Sequence, residues 1–186
     1  MGKIIVSENV TLDGVGQDPT GEEGFDRGGW FTRISDADRA AWAEVEQAEA
    51  MAAAALLLGR HSHDWFATRW ADRTGAWADR LNALPKYVVS TTLDEPRWAN
   101  STALPPTEVA KLKDTMDGDI VVYASRQLVH TLFEQDLVDE VRLMVFPFVL
   151  GAGDRVFGEA AGSMRLVEAR RIGADLTFLT YRTVRF

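Results

Sequence analysis

Val121-Val122-Tyr123-Ala124-Ser125-Arg126-Gln127-Leu128 decides how this chain is read. Ile120 to Tyr123 is a short, β-branched, apolar run and reads as a buried strand. Ser125 to Glu134 reads as a helix that starts where that strand ends. The first turn of a helix carries free N–H groups and a positive dipole end, which together favour an anion. Ser125 adds a hydroxyl there, and Arg126 adds a charge suited to phosphate. Capping of the helix by Ser125 is the plainer explanation of that residue.

Two other strings have the same design. Leu57-Leu58-Gly59-Arg60 closes the apolar run Ala55 to Leu58. Gly59 permits close backbone approach. Arg60 opens a short helix to Phe66, where a cation is unfavourable unless an anion faces it. Val10-Thr11-Leu12-Asp13-Gly14 follows a first strand over Lys3 to Ser7. Asp-Gly is a common turn pair. Asp13 is also a candidate carboxylate at a cleft mouth, orienting a polar substrate or relaying a proton. Ligands of open α/β sheets bind outside the carboxyl ends of the strands. Three distant strings therefore converge on one cleft.

Further strands are expected at Lys86 to Ser90, Trp98 to Ser101 and Val138 to Phe146. Arg165 to Ile172 and Leu176 to Phe186 read as a hairpin around Gly173-Ala174-Asp175. Ser90, Thr91 and Thr92 could hold a phosphate or ribose, and ordinary turn chemistry explains them about as well. Ser35 caps a helix to about Ala53, with Asp36 and Asp38 at its positive end. Pro105-Pro106 opens another to Met116. Glycines at 14, 16, 21, 24, 28 and 29, with Pro19, mark a long mobile loop. The alternation of strands and helices predicts one α/β domain over residues 1–186. Its sheet is mostly parallel, with an antiparallel C-terminal edge.

Composition narrows the function. The 186 residues are 46% hydrophobic and 26% charged, with net charge −8 and no cysteine. An acidic surface argues against nucleic-acid and anionic-lipid partners. Absence of cysteine removes disulfides, thiolate metal sites and thiol catalysis, and suits a reducing compartment. No targeting segment is visible, and the longest apolar run, Met51 to Leu58, is too short to span a bilayer. A cytoplasmic protein acting on a small molecule is the expectation. His61 and His63 point to different faces of a helix, so no metal site is expected. Phe25, Trp30, Trp65, Phe66 and Trp70 surround the three strings in sequence and include candidates for the lining of a flat-ring pocket.

An ordered set of strings resembles the dihydrofolate-reductase-like superfamily. Within it, the chain is most similar to the reductase domain of bacterial riboflavin biosynthesis and its stand-alone relatives. The strings are Ile5-Val6-Ser7 with Thr11-Leu12-Asp13-Gly14, Leu56-Leu57-Leu58-Gly59-Arg60 with Trp65-Phe66, and Asn82 to Ser90. They continue with Leu137 to Leu143, Pro147 to Gly153, and Phe157. The resemblance implies a dihydrofolate-reductase-like three-layer α/β fold and a homodimer. It also implies an NADPH-dependent reductase that transfers a hydride to a C=N or C=O of a pyrimidine- or pterin-like heterocycle. Carried over, it places Gly59, Arg60 and Ser62 at the phosphates or the adenosine ribose, and Ser90 and Thr91 beside the 2′-phosphate. Ala124, Ser125, Arg126, Gln127 and Leu128 would present amides to the pyrophosphate, and Gly151 would approach the nicotinamide end. The resemblance also sets Asp13 beside the substrate as the catalytic group; with the nearby Thr11, Phe25, Trp30 and Trp65 it makes the expected substrate side, and residues 14–29 are read as a closing lid.

Two departures stand out. Ala124 occupies a position where family members often have glycine. Dihydrofolate reductases carry an acid on the first helix that pairs with the pterin, and Asp38 and Glu44 are the nearest counterparts here. The alternative on the same fold is a protein that sequesters a nucleotide or heterocycle without turnover. The apolar strand around Met144 to Phe148 is the candidate dimer contact.

Overall fold

Strand β1 (Ile4–Thr11) sits near the centre of the sheet, flanked by β5 (Ile120–Tyr123) and β6 (Glu140–Phe146), both parallel to it. The coordinates are a computed structural model and describe residues 2–93 and 95–184. Beyond β5 come β2 (Ala55–Gly59), β3 (Lys86–Val89) and β4 (Ser101–Leu104), all parallel. Beyond β6 come β8 (Leu176–Val184) and β7 (Ser163–Ile172), both antiparallel to their neighbours. The order β4-β3-β2-β5-β1-β6-β8-β7 makes one eight-stranded sheet. It sets β5 between β1 and β2, so the three strings end side by side.

Helices cover both faces. Helices α1 (Asp36–Ala52), α2 (Arg60–Trp70) and α3 (Ala76–Ala83) share one side. There Ile5, Leu56, Leu58 and Val121 pack against Ala50, Leu81 and the half-buried Phe66 and Trp70. Helices α4 (Val109–Thr115) and α5 (Arg126–Glu134) cover the other side, where Ile4, Val6 and Val122 meet Val109, Val129 and Leu132. Burial on both faces explains why the central strands read as unbroken apolar runs. None of the helices described is long and apolar enough to cross a membrane.

Several boundaries move. β1 continues to Thr11 because Glu8 to Thr11 pair with Leu143 to Phe146, although Glu8 and Asn9 look like the start of a loop. The fourth strand lies at Ser101–Leu104, past the expected Trp98 to Ser101; Trp98 is buried in the core instead. α2 runs on to Trp70, and α3 is an additional helix. The Pro105-Pro106 start gives a short 3-10 turn before α4. The end of the expected last strand, Arg185 and Phe186, lies outside the described residues. Met144 and Phe146 are buried in the chain's own core beside Trp30, so their side chains are not free to form a dimer contact.

The glycine-rich loop is built rather than loose. Asp18 is fully buried, its carboxylate accepts from the Glu23 and Phe25 amides, and its carbonyl accepts from the Gly21 and Gly29 amides. Trp30 plugs the loop from beneath, its indole N–H donating to the Gln17 carbonyl and its ring standing edge-on to Phe146. A bridge from Val15 to Arg155 ties the loop to the C-terminal half. An internal carboxylate with backbone donors replaces the mobile segment expected from composition.

Candidate functional site

The carboxyl ends of β1 and β5 open on a cavity of about 190 Å³. Its floor carries Ser7, Glu8, Asn9 and Tyr123 from those strands. Its walls are aromatic: Trp42 from α1, Trp65, Phe66 and Trp70 from α2, Trp77 from α3, and Phe31. Gly16, Pro19, Thr20 and Glu23 of the glycine-rich loop form a roof. Two latches hold the roof down. Glu22 accepts from Arg69 and from the Trp65 indole of α2, and Glu23 pairs with Arg126 at 3.2 Å. The segment expected to swing shut is held against α2 and α5 by these contacts.

The strand-to-helix junctions interlock. The Ser125 amide donates to the Ser62 hydroxyl at 2.9 Å, and the Ser125 hydroxyl accepts from the Gly59 amide at 3.0 Å and donates to the Tyr123 carbonyl. Ser125 therefore ties β2–α2 to β5–α5 and does not cap its own helix. The first amides of α5 have neither a side-chain cap nor an intrahelical acceptor. Ala124 and Ser125 both have left-handed φ, 49° and 61°. Such strain in non-glycine residues persists where the surroundings over-determine it, and it clusters at functional sites. Ala124→Gly relieves one of these and is expected to stabilise the fold by about 0.5 kcal/mol, net of glycine's backbone entropy. A lower Tm in a thermal melt would contradict strain at this residue.

Other expected cofactor residues divide. Ser62, Ala124 and Arg126 line the cavity. Arg60 is exposed, opposite Asp64 and 3.2 Å from the Thr92 hydroxyl, with Thr91 exposed beside it. The Ser90 hydroxyl accepts from the Thr92 and Leu93 amides, so it shapes the turn. Gln127 is exposed, whereas the Leu128 side chain is core and offers a ligand only its amide.

The substrate-side expectations need more correction. Trp30 is completely buried and cannot touch a ligand. Phe25 packs into the third core cluster, against the position a Gly153 side chain would fill. Thr11 is buried, accepting from the Val15 amide and donating to Asp13 at 2.6 Å. Of the set, Trp65 alone lines the cavity. Asp13 lies outside it: its carboxylate accepts from Thr11, from the Leu150 amide at 3.2 Å and from the Gly151 amide at 2.8 Å. The Thr11 hydroxyl first, then these amides, hold its pKa down to about 2. A carboxylate so engaged clamps the 148–151 segment and is a poor proton donor. Gly151 is thus a partner of Asp13, with φ 71°.

This clamp has a pH signature. The folded pKa lies below the ordinary 3.8, so the stabilisation is complete above pH ~4 and fades as pH falls toward 2. Solvent screening limits it to about 1 kcal/mol. Asp13→Asn is expected to unfold at lower urea at pH 7, with the gap to the parent closing near pH 2. A gap of the same size at both pH values would contradict the clamp.

The residues the sequence reading missed are the acids. Glu8 and Glu46 are both buried and line the cavity. Burial pushes both well above the ordinary carboxylate range; at Glu8 the Arg126 charge offsets part of this and Glu46 adds to it, and at Glu46 the added push comes from Glu49. The nearby Glu49 is instead paired with Arg142 at 2.8 Å, and Arg142 also holds Glu140. The acid that α1 presents to the cavity is therefore Glu46. Asp38 bonds Ser35 and the Ala174 and Asp175 amides, and Glu44 is exposed. Two signals were available: an acid inside a strand pattern, and Glu46 at helical spacing from Trp42 and Ala50. His63 is buried between Asp64 and Ser101 while His61 faces the cavity, so the pair diverges. Among the described residues no cluster of three metal-ligating side chains occurs.

An α/β cleft with a helix N-terminus at its lip and an aromatic-walled cavity beside it fits a reductase-type domain. Residues 2–178 match the RibD C-terminal domain family, and the chain belongs to it. It is 27% identical, over 96% of its length and 94% of the relative's, to the uncharacterized protein YyaP of Bacillus subtilis. A structure from Shewanella sp. PV-4, ascribed to riboflavin biosynthesis, superposes with TM-score 0.69 at 20% identity, over 98% of this chain and 99% of that one. The Thermotoga maritima diaminohydroxyphosphoribosylaminopyrimidine deaminase/5-amino-6-(5-phosphoribosylamino)uracil reductase superposes with TM-score 0.61 at 13% identity, over 98% of this chain. This chain covers only 57% of that protein. These likenesses establish the three-layer fold expected from the strings.

Proposed function

We propose that this chain is an NADPH-dependent reductase acting on a C=N or C=O of a small, flat heterocycle. The observation that carries the reading is the uncapped start of α5, beside the left-handed Ala124–Ser125 pair and Arg126, at the lip of an aromatic cavity. These residues fit a dinucleotide. The amides of Arg126, Gln127 and Leu128 and the Arg126 charge suit a pyrophosphate. Arg60, Thr91 and Thr92 suit a 2′-phosphate. When bound, NADPH supplies the hydride.

The chain's own groups do the rest. Trp42, Trp65 and Phe66 line the space the heterocycle would occupy. The latched roof covers one side of the cavity and sheds part of a bound ring's water, which strengthens the electrostatic contacts beneath it. Glu8 and Glu46, whose pKa burial raises well above the ordinary carboxylate range, are the candidate proton holders beside a bound ring. Asp13 keeps its negative charge and positions the 148–151 segment. The absence of cysteine suits a reducing, cytoplasmic setting. The test is steady-state NADPH oxidation across a panel of pyrimidines and pterins. Sustained consumption with at least one ring supports the reading. Saturable binding of both partners without consumption would replace it with sequestration.

A further inference from the structure

The C-terminal hairpin gives the edge of the sheet two unlike faces. Opposite residues of an antiparallel pair share a face. Arg165 stands opposite Arg182, Glu168 opposite Thr180 and Arg170 opposite Phe178, all on the α1 side. On the α5 side, Met164, Leu166, Ala169 and Arg171 of β7 lie opposite Thr183, Tyr181, Leu179 and Thr177 of β8. Leu143 and Val145 of β6 extend that side, opposite Leu179 and Thr177. The strand charges of the hairpin thus gather on the α1 face, and the α5 face keeps Arg171 alone. Alternation of this kind marks a face made to be covered. The chain itself supplies little cover. Neither β7 nor β8 gives a buried side chain to the core cluster beneath α4 and α5, and Met164 and Tyr181 only pack against its rim. Leu166 is 53% exposed, and Val167, the bulged residue next to it, 52%.

We propose that the α5-side face of β6, β8 and β7 is a dimer interface, packed sheet on sheet against the same face of a second copy of this chain. Strand β6 takes part through Leu143 and Val145, the side opposite the buried Met144 and Phe146. A two-fold axis gives each copy the cover that the other needs, and an aligned sheet pair buries both strips. Charge favours a second copy as the occupant. The face has a single charge, so it selects neither an acidic nor a basic partner. Residues 163–184 hold four arginines and two acids in a chain of net charge −8. Two copies therefore meet at a segment free of the negative charge that would hold them apart elsewhere. Pairing along the β7 edge is discouraged, because the bulge between Leu166 and Glu168 and the Arg165–Arg182 pair both guard that edge. Strand rise and spacing make the strip about 30 Å by 14 Å, an exposed apolar patch of the size that marks an interface. Two strips with their flanking side chains approach the ~1,200 Å² at which specific interfaces begin, so a dimer of micromolar strength is expected.

The test is analytical ultracentrifugation of the full chain from about 1 to 100 µM, a range that brackets such an affinity. The parent is expected to pass from one copy to two and to stop there. Leu166→Glu and Leu179→Glu, each checked for an unchanged far-UV spectrum, are expected to weaken the dimer at least tenfold, because each buries a charge in the interface. Met51→Glu, at an exposed apolar position on α1, is expected to dimerise as the parent does. A parent that stays monomeric, growth beyond two copies, or a dimer untouched by both hairpin variants would overturn the proposal. A second measurement decides the matter even if the glutamate variants do not fold. In this chain without cysteine, Ala169→Cys places one thiol on the face, and its maleimide labelling is expected to slow as protein concentration rises; a constant rate would contradict the interface. The cleft lies at the ends of β1 and β5 and does not depend on this contact. Leu166→Glu is therefore expected to bind NADPH as the parent does, so loss of the dimer and loss of cofactor binding are read separately.

Discussion

Arg126→Ala is expected to raise the NADPH dissociation constant roughly ten- to a hundredfold, the effect of removing a hydrogen-bonding charge from an anion site, about 1.5–3 kcal/mol. Arg126 stands in the first turn of α5, where the free amides and the helix dipole already favour an anion. Its guanidinium also holds the Gly16 carbonyl and Glu23. The substitution therefore removes a cofactor charge and one roof latch together. Glu23→Gln separates the two effects, because it weakens the latch and leaves the charge. Fluorescence titration of both variants should show a large loss for Arg126→Ala and a small change for Glu23→Gln. Equal losses would mean that the roof, not the arginine, controls cofactor binding.

Lys86→Met is expected to cost the fold on the order of 3 kcal/mol, because it strands buried carbonyls that now share one ammonium. Lys86 is completely buried at the start of β3. Its Nζ donates to the carbonyls of Asn82, Leu84 and Ala99, and it lies 4.4 Å from the centre of the Trp98 ring. One side chain thus joins the end of α3, the turn before β3 and the approach to β4. Burial pulls its pKa down to about 8. Between pH 8 and the ordinary 10.5 the unfolded chain binds more protons than the folded one, so this residue makes stability rise with pH across that window. Urea midpoints at pH 7 and pH 9.5 check both statements. A midpoint within error of the parent would contradict the role, and a variant that keeps the same pH slope would assign the slope elsewhere.

The fold was legible because the strands buried on both faces, β2 and β5 above all, are continuous apolar runs, and because Ser35 and Gly173 mark real boundaries. The position of the cleft was legible for the same reason: a string that ends a parallel strand must lie at the carboxyl edge. What decides the substrate side was not legible. Trp30 and Trp65 look alike as letters, yet Trp30 fills the space beneath a loop held by Asp18, and Trp65 lines the cavity. Asp13 read as a reactive carboxylate because its three donors come from residue 11 and from residues more than 130 positions away. Glu8 and Glu46 were overlooked because acids are expected at the surface. Only the meeting of β1 with α1 puts them behind aromatic rings.

The central claim is that the junctions of β2 with α2 and β5 with α5 hold NADPH. Its most direct test is a titration of the purified chain with NADPH and, in parallel, NADH, read by energy transfer from its six tryptophans to the nicotinamide. Saturable NADPH binding, at least tenfold tighter than NADH and weakened by Arg60→Ala, is the predicted result. Binding of neither nucleotide would contradict the account.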